Sequence, residues 1–292
     1  MSRAKLLAGA TLVAAALALF GLTAAGRSGA SAADERPALL GEARQASLTV
    51  GMPVATDDRV FGAPSAAGRP IIVIDAGHGG RDPGATSVSG EVREKDLTLE
   101  MARQLRDALV DRGRVRVALT RGDDRYLTLE ERAAVARRLG ASLFVSLHTD
   151  SAPNPLARGA TVYSLSDVAS DAEAARLAAS QNAQAVTASA HASPVAAMLA
   201  DLAMRSEMNA SADFSARLVN KSTGRFELRP DPHRFAAFHV LRKADTPAVL
   251  FEAGYISNVD DEALLRSPKH RSTMVLALAQ AIEADVAARS RR

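Results

Sequence analysis

The polarity pattern changes period repeatedly along this chain, and the changes outline its elements. Ile71, Ile72, Val73 and Ile74 form a short β-branched apolar run that ends in a glycine-rich stretch, Gly77, Gly79 and Gly80. A run so short and so bounded reads as a buried strand. Leu97, Met101, Leu105 and Leu109 then recur every four residues, which places them along one helix face, and Gly113 supplies a stop. A second strand is predicted over 115–120, with a turn at 121–124. Thr128 and Glu131 fit a capping box that opens a helix running to Leu139. Further strands are predicted over 143–148, 159–165 and 248–252. A last helix, over about 269–287, carries Met274, Leu276, Leu278 and Ile282.

Strands alternating with helices of this length predict an α/β fold: a single domain over 71–292 with a mostly parallel, twisted sheet flanked by helices. One connection breaks the rhythm. Residues 166–246 separate two predicted strands and carry helical signals over 172–185 and 195–219, so an inserted helical regulatory segment is expected there rather than a structureless loop. Residues 33–70 mix proline, glycine, alanine and scattered charges, and read as a linker or extended lead-in. No internal repeat is apparent.

Composition narrows the function. Zero cysteines among 292 residues exclude disulfides, thiolate metal sites and cysteine nucleophiles. Arg3 and Lys5 precede an uncharged run over 6–25, and Ala30-Ser31-Ala32 offers a small-residue cleavage site, so residues 1–32 are expected to be a signal peptide that directs a secreted, periplasmic product without stable membrane insertion. Removing Arg3, Lys5 and Arg27 takes the formal charge from +3 to zero. No concentrated basic charge remains to argue for nucleic-acid binding.

The candidate chemistry sits where predicted strands end. His78 and His148 each follow an apolar strand, Glu94 opens the first helix, and Glu252 follows the strand that begins at Ala248. Two neutral histidines and a carboxylate suit a zinc ion while leaving a position for water, and a second carboxylate can take that water's proton. The expected division is one Zn2+ per chain on His78, Glu94 and His148, with Glu252 as general base and acid. Each residue also has a bland reading, as a hydrogen-bonded loop histidine or a solvated helix-start carboxylate; their joint placement at strand ends favours a site. His191, His233, His239 and His270 lack such contexts and read as surface or packing residues.

Several blocks in order then resemble the zinc-dependent N-acetylmuramoyl-L-alanine amidases of the bacterial cell-separation type. They are Ile74-Asp75-Ala76-Gly77-His78-Gly79-Gly80-Arg81-Asp82-Pro83-Gly84-Ala85, Arg93-Glu94-Lys95-Asp96, Thr120-Arg121, Ser146-Leu147-His148-Thr149-Asp150 and Phe251-Glu252-Ala253-Gly254-Tyr255-Ile256-Ser257-Asn258. Thr149 stands where alanine is usual, a departure expected to be compatible with a surface position. The resemblance implies zinc on His78, Glu94 and His148, Glu252 as the catalytic glutamate, and hydrolysis of the peptidoglycan amide between N-acetylmuramic acid and L-alanine, for septal wall splitting. It also implies a helix within 166–246 that covers the zinc with a carboxylate, Glu207 or secondarily Glu173, until a coiled-coil activator with a degenerate peptidase-like domain withdraws it. Two alternatives stand beside this reading: an inactive wall-binding or divisome-interaction protein on the same fold, and a zinc peptidase acting on stem peptides.

Overall fold

The computed structural model describes residues 58–183 and 194–291. The expected signal segment, most of the lead-in and His191 lie outside the described residues.

Seven strands form one sheet in the order β1-β3-β2-β4-β7-β5-β6. The strands are β1 Val60–Phe61, β2 Ile71–Ala76, β3 Arg116–Leu119, β4 Leu143–Asp150, β5 Ala160–Leu165, β6 Leu228–Ala236 and β7 Ala248–Tyr255. The centre, β3-β2-β4-β7, is parallel, whereas β1 runs antiparallel to β3 and β5 antiparallel to β7. Every residue of β2, β4 and β7 is buried, as continuous apolar runs covered on both faces require.

The helices are α1 Glu94–Arg112, α2 Leu129–Arg138, α3 Ala172–Asn182, α4 Pro194–Ser222, the short α5 His239–Arg242, α6 Val259–Arg266 and α7 Pro268–Arg289. Alternation along β2 sends Ile72 and Ile74 to the face covered by α1, α4 and α7, and Ile71 and Val73 to the face covered by α2, α3 and α5. Thr128 and Glu131 form the anticipated capping box, and Gly113 ends α1 in the left-handed region at φ 66°.

The 166–246 region departs from expectation. It holds α3, α4 and the short α5, but also β6, a member of the sheet, so it extends the sheet layer and is not a wholly helical insertion. Pro230, Asp231 and Pro232 argue against a strand by composition; they fit here because β6 is an edge strand with a bulge, where the pairing steps from Ala160↔Leu228 to Val162↔His233. The lead-in likewise yields the two-residue edge strand β1.

Candidate functional site

Strand β2 ends beside the middle of the longer parallel strand β4, and this register sets the geometry of the centre. Ala76 pairs with Leu147, so His78 and His148 emerge next to each other with ring centroids 5.0 Å apart. Glu94, the first residue of α1, comes between them: its Oε2 is 3.1 Å from His78 Nε2 and its Oε1 is 3.0 Å from His148 Nδ1. One ligand atom from each residue lies within 4.8 Å of the others, a grouping suited to a divalent metal.

The surroundings hold each group in place. His78 adopts φ 60°, a left-handed conformation uncommon for a residue with a Cβ, and Arg132 Nη2 donates to its carbonyl at 2.6 Å. Asp82 Oδ2 lies 2.8 Å from His78 Nδ1, which directs Nε2 to the cluster, as a carboxylate on the far ring nitrogen does for metal-binding histidines. Glu94 accepts backbone N–H bonds from Ala85 and Thr149. Two glycines leave room for the ligands: a Cβ on Gly77 would lie 2.4 Å from His148 Cε1, and one on Gly84 would lie 2.6 Å from Glu94 Oε2.

Below this loop lies a buried polar network that the apolar pattern concealed. Asp75 accepts from Thr120, Ser146 and Arg132, and Arg132 also donates to Ala76 O. Arg121, fully buried, donates to the carbonyls of Ala76, Gly77 and Lys95. Two guanidinium groups thus satisfy three successive carbonyls of the loop that carries His78. The sequence signal was Asp75 inside an otherwise apolar strand, since a carboxylate there must find partners.

Glu252 stands opposite His148 in the β4–β7 register. Only 1% exposed, its carboxyl has neither oxygen hydrogen-bonded among the described residues. Burial pushes its pKa well above the usual carboxylate range, and the charges of Asp150 and Glu94 push the same way. Asp150 is raised to about 6 by burial and by Glu94. Burial would lower His78, yet Glu94 and Asp82 overcome it and raise this residue to about 9; Glu94, whose burial opposes ionisation, is held low chiefly by His78. His148 is lowered by burial. Buried histidines and carboxylates that perturb one another at a cleft mark a functional centre, and the two Glu252 oxygens, without hydrogen-bond partners among the described residues, are the orphaned atoms that a metal-bound water would satisfy.

Other expectations resolve differently. Thr149 is fully buried rather than surface-exposed, because β4 continues past His148 alongside β7, with the Thr149 N–H donating to Glu94 at the start of α1. Neither glutamate considered as a zinc cap joins the cluster in this structure. Glu207 lies on α4 near Asp245; one turn further along, Ser211 receives the N–H of Ala248 at the start of β7. That strand start is four residues, or ~13 Å, from Glu252. Glu173 is engaged by Arg229 at 2.6 Å and by the Tyr255 hydroxyl at 2.9 Å. From this region Gln181 on α3 reaches the centre, its Nε2 3.4 Å from His148 Nδ1. His233 bonds to Ser164 and His270 packs on Phe226, both outside the centre.

Comparison with known proteins agrees with this arrangement. Residues 72–284 match the family model Amidase_3, described as N-acetylmuramoyl-L-alanine amidase. The chain is 33% identical over 239 residues to the amidase AmiC of Escherichia coli O6:H1, covering 78% of this chain and 57% of that protein. It is 32% identical over 225 residues to AmiA of Escherichia coli K12, covering 75% of this chain and 77% of that protein. Among solved structures, the catalytic domain of CwlV from Bacillus (Paenibacillus) polymyxa superposes with a TM-score of 0.53 at 28% identity, over 73% of this chain and 96% of that one. The chain therefore spans little more than half of one curated relative and three quarters of another, and, with a His-Glu-His cluster suited to a divalent metal at its strand ends, it belongs to the N-acetylmuramoyl-L-alanine amidase family.

Proposed function

We propose that this protein hydrolyses the amide between N-acetylmuramic acid and L-alanine in peptidoglycan, using one zinc ion held by His78 Nε2, Glu94 and His148. The observation that carries the reading is the convergence of these ligand atoms beside Glu252, a buried carboxyl whose two oxygens lack partners. Zinc would supply carbonyl polarisation and a more acidic water. The chain's own residues do the rest. Asp82 and Arg132 orient His78, and the backbone N–H groups of Ala85 and Thr149 orient Glu94. Glu252, on the neighbouring strand, takes the proton of the attacking water and returns it to the departing L-alanine nitrogen. The opposing pKa displacements of His78 and Glu252 support a division of labour in which the first binds a cation and the second handles protons.

Localisation belongs to the same proposal: a periplasmic enzyme acting in septal wall splitting, supported by the signal-like pattern of residues 1–32. Among the described residues no helix is long and apolar enough to cross a membrane. Regulation by a segment within 166–246 is supported by α3, which lines the cavity over the cluster and brings Gln181 to His148. Withdrawal by a coiled-coil activator is supported by the exposed Met198, Leu199 and Leu202 of α4.

Purified residues 33–292 incubated with intact peptidoglycan should release full-length stem peptides and leave denuded glycan. Shortened stems still attached to muramic acid would assign the site to a peptidase instead, and no release in the presence of zinc and activator would favour a binding role. Elemental analysis should give about one zinc per chain.

A further inference from the structure

Strand β5 runs antiparallel to β7, with Thr161 opposite Glu252 and Tyr163 opposite Leu250. Side chains of paired residues point the same way, so Thr161, Tyr163 and Glu252 share one face of the sheet, the face on which Tyr163 and Leu250 pack with α2, α3 and α5. Residues directly opposite one another have Cβ atoms about 5 Å apart, and diagonal neighbours such as Tyr163 and Glu252 are about 7–8 Å apart, within reach of an aromatic side chain. The Tyr163 ring is held edge-on to Phe238, with centroids 5.4 Å apart.

These three groups complement one another. All are buried, and among the described residues neither carboxyl oxygen of Glu252, nor the Thr161 hydroxyl, nor the Tyr163 hydroxyl has a hydrogen-bond partner. Two hydroxyl donors without acceptors thus stand beside two acceptors without donors, where an unmade hydrogen bond is costly. The other polar groups nearby are committed elsewhere or bring the wrong chemistry. Asp150 accepts from Ser151 N at 2.6 Å and keeps Oδ2 unpartnered, but as a carboxylate it offers no donor, and its charge, like that of Glu94, opposes ionisation of Glu252. Arg234, opposite Tyr163 on β6, pairs with Asp171 at 2.9 Å and approaches Glu173 at 3.6 Å. The Tyr255 hydroxyl donates to Glu173 at 2.9 Å, and His148 Nδ1 faces Glu94 at 3.0 Å. Burial raises the Tyr163 hydroxyl, and of the surrounding charges Glu252 raises it most, ahead of Asp150.

We propose that Thr161 and Tyr163 are positioning residues for Glu252: their hydroxyls donate to its carboxylate and hold it in the orientation that takes the proton of the attacking water. The proposal deepens the amidase reading above and rests on it. The adjustment it requires is side-chain rotation, of Glu252 about its χ angles and of Thr161 about χ1, within strands whose register is already set. Donors fixed on a neighbouring strand leave the base little freedom to swing away from the water, and hydrogen bonds to the charged form favour the anion that a general base must be.

The test is a double-mutant cycle on the zinc-loaded enzyme with a soluble muramoyl peptide as substrate. Tyr163→Phe and Thr161→Val keep shape and burial, and each should lower kcat by about 10- to 100-fold, the range of a hydrogen bond to a charged group, with KM and zinc content unchanged. Thr161→Ser should restore most of the loss. In the Glu252→Gln background the same two substitutions should change kcat by less than about twofold, because they act through a carboxylate that is no longer there. A second measurement needs no turnover: the infrared carboxylate band of Glu252, identified by its disappearance in Glu252→Gln and recorded in alkaline solution, should shift in both variants. Full kcat in both variants, an equal loss in the Glu252→Gln background, or a loss that tracks zinc content would overturn the proposal while the amidase reading stands. If wild type leaves the sugar–peptide amide intact, the amidase reading falls, and the infrared band then decides alone: a shift in both variants keeps the two hydroxyls on Glu252, and an unmoved band removes them.

Discussion

Arg132→Met isolates the network that supports His78. Arg132 is 3% exposed, and its guanidinium donates to Asp75 at 2.9 Å, Ala76 O at 2.6 Å and His78 O at 2.6 Å. Methionine fills much of the aliphatic volume but donates nothing. Removing one partner of a buried ion pair costs about 3–5 kcal/mol, because the other charge is left without its counter-ion. Asp75 keeps the hydroxyls of Thr120 and Ser146, both at 2.7 Å, which favours the low end of that range. For a domain of this size each kcal/mol moves Tm by about 2–4 °C, so calorimetry should show a fall of roughly 6–20 °C. A second effect should be separable from the first. With no donor on its carbonyl, the strained His78 can relax from φ 60°, and zinc affinity should drop by about 10- to 100-fold, the usual effect of losing a group that holds a metal ligand in place. Arg138→Met, which removes a surface pair to Asp58 with both partners more than a third exposed, should cost at most about 1 kcal/mol and leave zinc affinity intact. A Tm change below 3 °C for Arg132→Met, with unaltered zinc affinity, would refute the claim that this network positions the ligand loop.

Further outcomes follow from the site. Glu252→Gln should retain zinc by elemental analysis while losing roughly 10²- to 10⁴-fold in turnover; a fully active variant would remove Glu252 from the chemistry. Gly77→Ala should displace His148, since the new Cβ would lie 2.4 Å from its ring, and zinc content should fall although the far-UV spectrum is unchanged. In the zinc-free protein His78 titrates at about 9, above the ordinary value near 6.5, so its stabilising contribution is complete below about pH 6.5 and disappears as pH rises through 9. Denaturant titrations of the zinc-free protein should therefore show stability falling by up to about 3 kcal/mol across that window, and zinc binding at pH 7 should release at least one proton, read from calorimetry in buffers of different ionisation enthalpy.

The sequence by itself determined what depends on local pattern. The short, β-branched apolar runs that begin β2, β4 and β7 read as buried strands, the four-residue spacing of Leu97 to Leu109 reads as one face of a helix, and the capping box at Thr128 marks where α2 begins. The strands leading to His78, His148 and Glu252 were legible for the same reason, although β4 and β7 run on past His148 and Glu252 to Asp150 and Tyr255. Tertiary structure decided whatever depends on neighbours remote in sequence. It made a strand of Leu228–Ala236, whose prolines are acceptable only at an edge, and it turned β5 antiparallel to β7. It buried Thr149, set Gln181 rather than Glu207 or Glu173 beside His148, and brought Arg121 and Arg132 beneath the carbonyls of Ala76, Gly77 and His78 across 44 to 56 residues of chain. An arginine's local sequence does not reveal whether it will face solvent or a buried carbonyl; that depends on which unpaired acceptors the packed sheet presents to it.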